Sequence, residues 1–410
     1  MAPNETDDTT TAGEVEEPRA GRRRAARYIV PVTVMGVAAA TIGLVPALAD
    51  SGDPDLPDIT AAQLIEKIAQ SDVERLSGTV KITTDLGLPD LGGLESGLLS
   101  GAAGGEDGEG GSSADPSGRL TELASGTHTL RVAADGPDRQ KLSLLENAAE
   151  YSLIHNGKDV WGYDSASNEV YHATVDEADT KERSAQQPPA TPKDFAEEAL
   201  KAVDDTTSVK VDGTAQVAGR DAYRLVVEPK QSGSTVGAIS IAVDHETGMP
   251  LKFTLTPAGG GSAVVDVGFT KVSFDRPDAS TFRFTPPKGA KVTEDTEQDR
   301  AHGGFGGKPE RGPKPEEDLA KGLDGLRMLG EGWNTVATFD TGTGAGLPTE
   351  EAGGDLGGFL GSLGDQVKGD FGKGTVFSTR LVNALITEDG TVYVGTVTKD
   401  ALVKAAEAGK

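Results

Sequence analysis

The stretch YSLIHNGKDVWGYDSASNEVYHATV, Tyr151–Val175, decides the fold. It reads as strand, tight turn, strand, turn, strand. Asn156-Gly157 is the strongest short hairpin signal, because both central residues of such a turn need φ > 0. Trp161 follows just past that turn, in a chain with two Trp among 410 residues. Its purpose is the first question the sequence raises.

More strands lie on either side. Leu76–Thr84 alternates as a strand does, and Thr127–Ala133 pairs with Asp138–Leu145 across Ala134-Asp135-Gly136-Pro137. After a Pro/Gln connector at Ser184–Pro192 come Ser208–Val217, Arg220–Pro229, Ala238–Asp244, Pro250–Thr256 and Ala263–Phe274. Their turns carry Ala218-Gly219, Thr247-Gly248 and Gly259-Gly260-Gly261. Two short amphipathic helices accompany them. Ile59–Val73 has Thr60 as N-cap and Leu64, Ile65, Ile68 and Ala69 on one face; Asp194–Val203 turns Phe195, Ala199, Leu200 and Val203 inward. Strands joined by hairpins, with two helices, predict an α+β fold built on one large, open, curved antiparallel sheet. Such a sheet buries one face and leaves the other wet. Thr281–Lys288 reads as its closing edge segment, stopped by Pro286-Pro287.

Leu86–Gly118 is Gly-, Ser- and acid-rich, yet holds Leu88, Leu91, Leu94, Leu98 and Leu99. It reads either as a long insertion or as a short apolar lid over a groove. Residues 293–321 are polar and Pro/Gly-rich, a linker. Residues 322–410 form a small C-terminal α+β region. Its predicted parts are a strand at Trp333–Phe339, a Gly-rich loop at Thr341–Gly369, a hairpin from Thr375–Thr387 to Thr391–Val397, and a closing helix at Asp400–Ala408.

The N-terminus sets the compartment. Residues 1–27 are a polar tail, expected to be disordered and cytoplasmic, ending in a cluster of arginines. Residues 28–49 are uncharged and mostly apolar, long enough to cross a bilayer core of ~30 Å. The run ends in an A-x-A pattern with Ala47 and Ala49, so it is either a cleaved signal peptide or a retained anchor. Either way residues 50–292, the sheet domain, are expected outside the cytoplasm. The net charge of −26 argues against nucleic acid as a partner, which needs a basic patch. The absence of cysteine excludes disulfides, thiol catalysis and Cys-based zinc sites.

Catalytic and metal patterns are missing. The five histidines are scattered, and no H-E-x-x-H, G-x-S-x-G or complete phosphate loop occurs. Carboxylates abound and none is singled out. The reading is a non-enzyme with no cofactor and no metal. A curved sheet whose inner face is not filled by its own side chains suits an apolar ligand, and each buried CH₂ of an acyl chain contributes ~0.8 kcal/mol. The alternative is that the two helices plug the sheet and complete an ordinary core.

Four segments, in order, carry a resemblance. They are AAQLIEKIAQSDVERLSGTVKITT (Ala61–Thr84), the Trp161 hairpin with Asn156, Gly157, Lys158, Trp161, Tyr163 and Asp164, the turn Asp244–Pro250, and Phe282–Pro287. Together they resemble the LolA/RseB superfamily of extracytoplasmic proteins. The resemblance implies an open half-barrel with helices in its concave side. LolA-type members carry lipoprotein acyl chains, and RseB-type members bind an anti-sigma factor. The region 322–410 is faintly similar to the small second domain of the RseB type. On this reading the ligands are lipid or lipoprotein acyl chains. The candidate lining is Leu64, Ile65, Ile68, Phe195 and Leu200, with Leu98 and Leu99 from the loop, and Trp161 serves either the barrel wall or the ligand. A second reading is a regulator that binds a membrane protein through 322–410; a third is a structural envelope protein with a plugged core.

Overall fold

The computed structural model describes residues 54–87, 112–116, 119, 122–174, 190–295, 327–340 and 364–409. All of them belong to one compact unit, Ala47–Lys410. The apolar run 28–49, the A-x-A residues Ala47 and Ala49, and Leu98 and Leu99 lie outside the described residues.

Twelve strands form the large sheet. They are β1 (Arg75–Thr84), β2 (Gly126–Asp135), β3 (Arg139–Glu146), β4 (Ala149–Asn156), β5 (Asp159–Asp164), β6 (Glu169–Thr174), β7 (Thr207–Val217), β8 (Arg220–Pro229), β9 (Val236–Asp244), β10 (Pro250–Pro257), β11 (Val265–Ser273) and β12 (Lys291–Asp295). Their order is β12-β6-β5-β4-β3-β2-β1-β11-β10-β9-β8-β7. Every pairing is antiparallel except β12 with β6. The two outer strands do not pair, so the sheet is open. It curls at one end, where β7 returns to within 8 Å, Cα to Cα, of β11 although β8, β9 and β10 lie between them.

The opening hairpin forms, with its turn one residue later than the sequence predicts. Asn156 pairs with Asp159, so the central residues are Gly157 and Lys158. Gly157 has φ 66° and Lys158 does not have positive φ, the pattern of a turn with Gly first. The shift moves the pairing by two residues, so Trp161 lies opposite Ile154 and every side chain keeps its face. Ala218-Gly219 is a turn with both central residues left-handed, at φ 53° and 79°.

Three further details differ. Ala279–Phe282 is a 3-10 turn, and the outer strand comes later, at β12. Trp333 lies in a 3-10 turn, Gly332–Asn334, rather than in a strand. The predicted strand Thr375–Thr387 is two strands, because the Thr379 hydroxyl accepts the Leu381 and Val382 amides and folds a turn between them.

Two helices pack on the large sheet, α1 (Ala61–Ala69) and α2 (Pro192–Lys201). Each starts with a reciprocal cap, Thr60 with Gln63 and Thr191 with Asp194, which satisfies amides that helix geometry leaves free. A second sheet of six antiparallel strands follows: β13 (Arg327–Leu329), β14 (Val336–Asp340), β15 (Asp365–Gly369), β16 (Gly372–Ser378), β17 (Asn383–Thr387) and β18 (Thr391–Gly395). Its order is β13-β14-β18-β17-β16-β15. A third helix, α3 (Lys399–Ala408), buries Leu402 and Ala406 with Val336, Leu385 and Tyr393. Side chains tie the two sheets together. Arg380 donates to Asp85 at 2.6 Å and to the Ser262 carbonyl, and the Trp333 indole donates to the Thr207 hydroxyl at 2.9 Å.

Candidate functional site: the concave face

Alternation along the strands separates two faces. Val80 and Ile82 of β1, Leu130 and Val132 of β2, Leu144 of β3 and Tyr151 of β4 point to one side, into a shared apolar cluster with Leu251, Val267 and Phe269. This is the concave face. Its β7–β10 end is covered by helices. Leu64 of α1 is fully buried and Ile68 nearly so, against Leu225, Val227, Ile239, Ile241 and Phe253. Ile65 and Leu200 are half-buried in the same cluster. Phe195 of α2 stacks obliquely on Phe253, ring centroids 5.2 Å apart, and touches both apolar clusters. Five of the sequence-predicted lining residues, Leu64, Ile65, Ile68, Phe195 and Leu200, are thus gathered in one place. The two with the deepest burial serve helix–sheet packing.

A second cover lies over β4–β6. The chain returns from the Gly-rich insertion at Ser112 and is clasped there. Ser112, Ser113 and the Ser113 amide all donate to Glu169, and the Tyr151 hydroxyl donates to the Ala114 carbonyl at 3.1 Å. Lys291 also donates to Glu169, and these bonds pull that carboxyl down to about 2. Gly162 makes the approach feasible: a Cβ there would lie 2.3 Å from the Ala114 oxygen. Arg119 completes the clasp, donating to Asp164 at 2.7 Å and to Glu146 at 3.2 Å. Burial pushes the Asp164 carboxyl up, but the Ala166 amide and Arg119 outweigh it and hold it below the usual range. Sequence reasoning read this whole stretch as a loop and missed the clasp, because its partners lie on strands far along the chain.

Between the two covers Leu76, Leu142 and Leu153 are half-buried on the concave face. Leu142 and Leu153 are directly opposed across β3 and β4. His155, two residues along β4, has a buried Nε2 without a hydrogen-bond partner among the described residues. This strip is an apolar floor beside one unpaired polar atom. The sequence held the signal for it, the alternation of β3 and β4, but not for which alternating residues the helices would leave uncovered.

Trp161 does not share this surface. It lies on the outer face, where it stacks on His172 at 3.7 Å between centroids and meets Phe284 at 5.5 Å. Tyr163 meets the same Phe284 at 5.6 Å. The Phe282–Pro287 segment therefore crosses the outside of β5, with Phe282 itself buried. That answers the first question: Trp161 belongs to the wall. His172 sits between two carboxylates, its Nδ1 2.6 Å from Glu294 and its Nε2 3.0 Å from Asp159. Burial works against the charged imidazole, but Asp159 and Glu294 outweigh it and raise its pKa above the ordinary value.

Buried charge elsewhere is structural. Asp244 accepts from Arg220 and from the Glu246 and Thr247 amides, which fixes the turn between β9 and β10. Among the described residues no group of three or more His, Asp or Glu side chains could hold a metal ion, and no helix is long and apolar enough to cross a membrane.

The fold and site define an open, one-sided sheet scaffold with an apolar concave face. No family model matches this chain. No curated protein does either. Among solved structures it is similar to a chain of the Pseudomonas aeruginosa MucA/MucB complex, with 15% identity over 84% of this chain and 96% of that one, at a TM-score of 0.38. It is similar to MucB in complex with MucA(peri), with 15% identity over 84% and 97%, at 0.35. It is also similar to a LolA superfamily protein from Nitrosomonas europaea, with 10% identity over 55% and 99%, at 0.21.

Proposed function

We propose that this chain is an extracytoplasmic, non-catalytic binding protein of the LolA/RseB kind that takes up lipid or lipoprotein acyl chains on its concave face. The observation that carries this reading is the apolar floor of Leu76, Leu142 and Leu153, left half-buried between the helix cover and the Ser112–Ala114 clasp. Acyl binding there is reversible burial, with no bond made or broken. The four sequence segments that resemble the superfamily support the same reading.

Native mass spectrometry with lipid extraction, on the chain as a host exports it, tests the proposal. Acyl lipid should co-purify with the wild type and be lost from Leu142→Gln/Leu153→Gln with its circular dichroism unchanged. A clean apo mass from folded protein that gains no lipid from vesicles would sink the acyl-chain reading.

A second reading is a regulator that binds an envelope membrane protein through 322–410. Its support is Met328, 65% exposed on the outer strand β13 of the second sheet. A photo-crosslinker at position 328 that captures no membrane protein in the native envelope would remove it.

A further inference from the structure

The outer face of the large sheet carries a cluster of cations across β11, β1, β2 and β3, bordered by Asp266 of β11, which pairs with Lys252. Thr79 and Lys81 of β1 alternate with buried Val80 and Ile82, so they point outward. Lys271 of β11 is opposite Thr79, which is opposite Arg131 of β2, and Lys141 of β3 lies one outward position further along. Neighbouring strands are ~4.8 Å apart and the rise is ~3.4 Å per residue, so these four cations lie within about 17 Å. Among the described residues none of the four has an acidic partner. At one end of the same face Arg75, Arg139 and Arg276 all converge on the single carboxylate of Asp135, at 3.4, 2.6 and 3.1 Å. The chain has 65 acidic against 39 basic residues, so unpaired bases here are not for want of acids. The Ala279–Phe282 turn lies over part of the outside of β3 and β4, and beside it Lys81 and Lys271 are exposed while Arg131 and Lys141 are half-buried.

We propose that the outer face of β11-β1-β2-β3 docks on a membrane surface through anionic phospholipid headgroups. A protein of net charge −26 is repelled by such a surface on average, so a face that presents cations favours one orientation. A membrane fits better than an acidic peptide because the cations spread across adjacent strands of a sheet surface instead of lining a groove. The inference stands apart from the acyl-chain reading: headgroups meet the outer face, acyl chains the inner one.

Lysine-acylation footprinting tests it. The exported full chain is mixed with vesicles of phosphatidylcholine alone or with added phosphatidylglycerol, or is reconstituted in them if the apolar run is retained. Labelling of Lys81, Lys141 and Lys271 should slow by ~3-fold or more with phosphatidylglycerol and recover at high salt, since screening shortens the reach of exposed charges. Lys368 and Lys404 should not change. A Lys81→Glu/Lys271→Glu variant alters exposed side chains only, and should lose the protection at Lys141. Equal labelling on both vesicles overturns the proposal, as does slowing that persists at high salt. Protection by soluble polyglutamate but not by vesicles also overturns it, and assigns the face to an acidic protein.

Discussion

His172 shows how one residue converts its surroundings into a pH response. Both of its ring nitrogens face carboxylates, which only accept hydrogen bonds, so both contacts need the doubly protonated ring. The folded-state pKa is raised, so the stabilisation is fully present below the ordinary value of ~6.5 and is lost as pH rises through the folded pKa. Thermal unfolding should therefore show stability falling as pH rises above ~6.5, and His172→Phe, which keeps the stack on Trp161, should abolish that dependence. An NMR titration of His172 below its ordinary range would contradict this. Ala218 is a second residue-scale case. Its φ of 53° is a conformation L side chains rarely adopt. Ala218→Gly should stabilise by about 1 kcal/mol, read as a rise in the urea midpoint at constant slope.

At the scale of elements, α1 is held by what it buries. Leu64→Ala leaves a cavity under the helix and should cost about 2–5 kcal/mol by chemical denaturation. The Ser112–Ala114 clasp depends on the lack of a side chain at position 162. Gly162→Ala would drive a Cβ into the Ala114 carbonyl, and should cost about 1–3 kcal/mol while raising hydrogen exchange in the peptide that spans the clasp. Unchanged exchange would show that the clasp is not held by this approach. The clasp and the helices each cover one end of the same face, so the uncovered floor between them is a consequence of element lengths, not of any single residue.

At the scale of the molecule, backbone bonds from Thr235 to Thr396, from Thr398 to Gly233 and from Arg380 to Leu86 join the two sheets, and side chains add to them. Arg380 reaches back across the chain to Asp85 and Ser262, and Trp333 to Thr207. Arg380→Ala removes exposed charged contacts worth about 0.2–1 kcal/mol each, and should split a single calorimetric transition into two. One unbroken transition in the variant would mean that backbone pairing at Ser234 and Val397 suffices.

The sequence by itself determined most of the strands, both sheet-packing helices, the Thr60 cap and most of the hairpins. These rest on local rules: side-chain alternation, Thr caps, and glycine where φ is positive. It also put Leu64 and Ile68 on one face of α1, because helical spacing does so without reference to any partner; only the packed sheet brought Phe195 of α2 beside them. Tertiary structure alone decided the rest. The turn at Gly157-Lys158 is centred one residue from the local optimum, in a register that sets Trp161 opposite Ile154 and His172. β12 joins β6 in parallel across a sequence separation that no local pattern encodes. The clasp at Glu169, the floor of Leu142 and Leu153, and the basic outer face exist only when distant strands lie side by side. Local chemistry fixes which side chains share a face; only the packed sheet fixes what covers them.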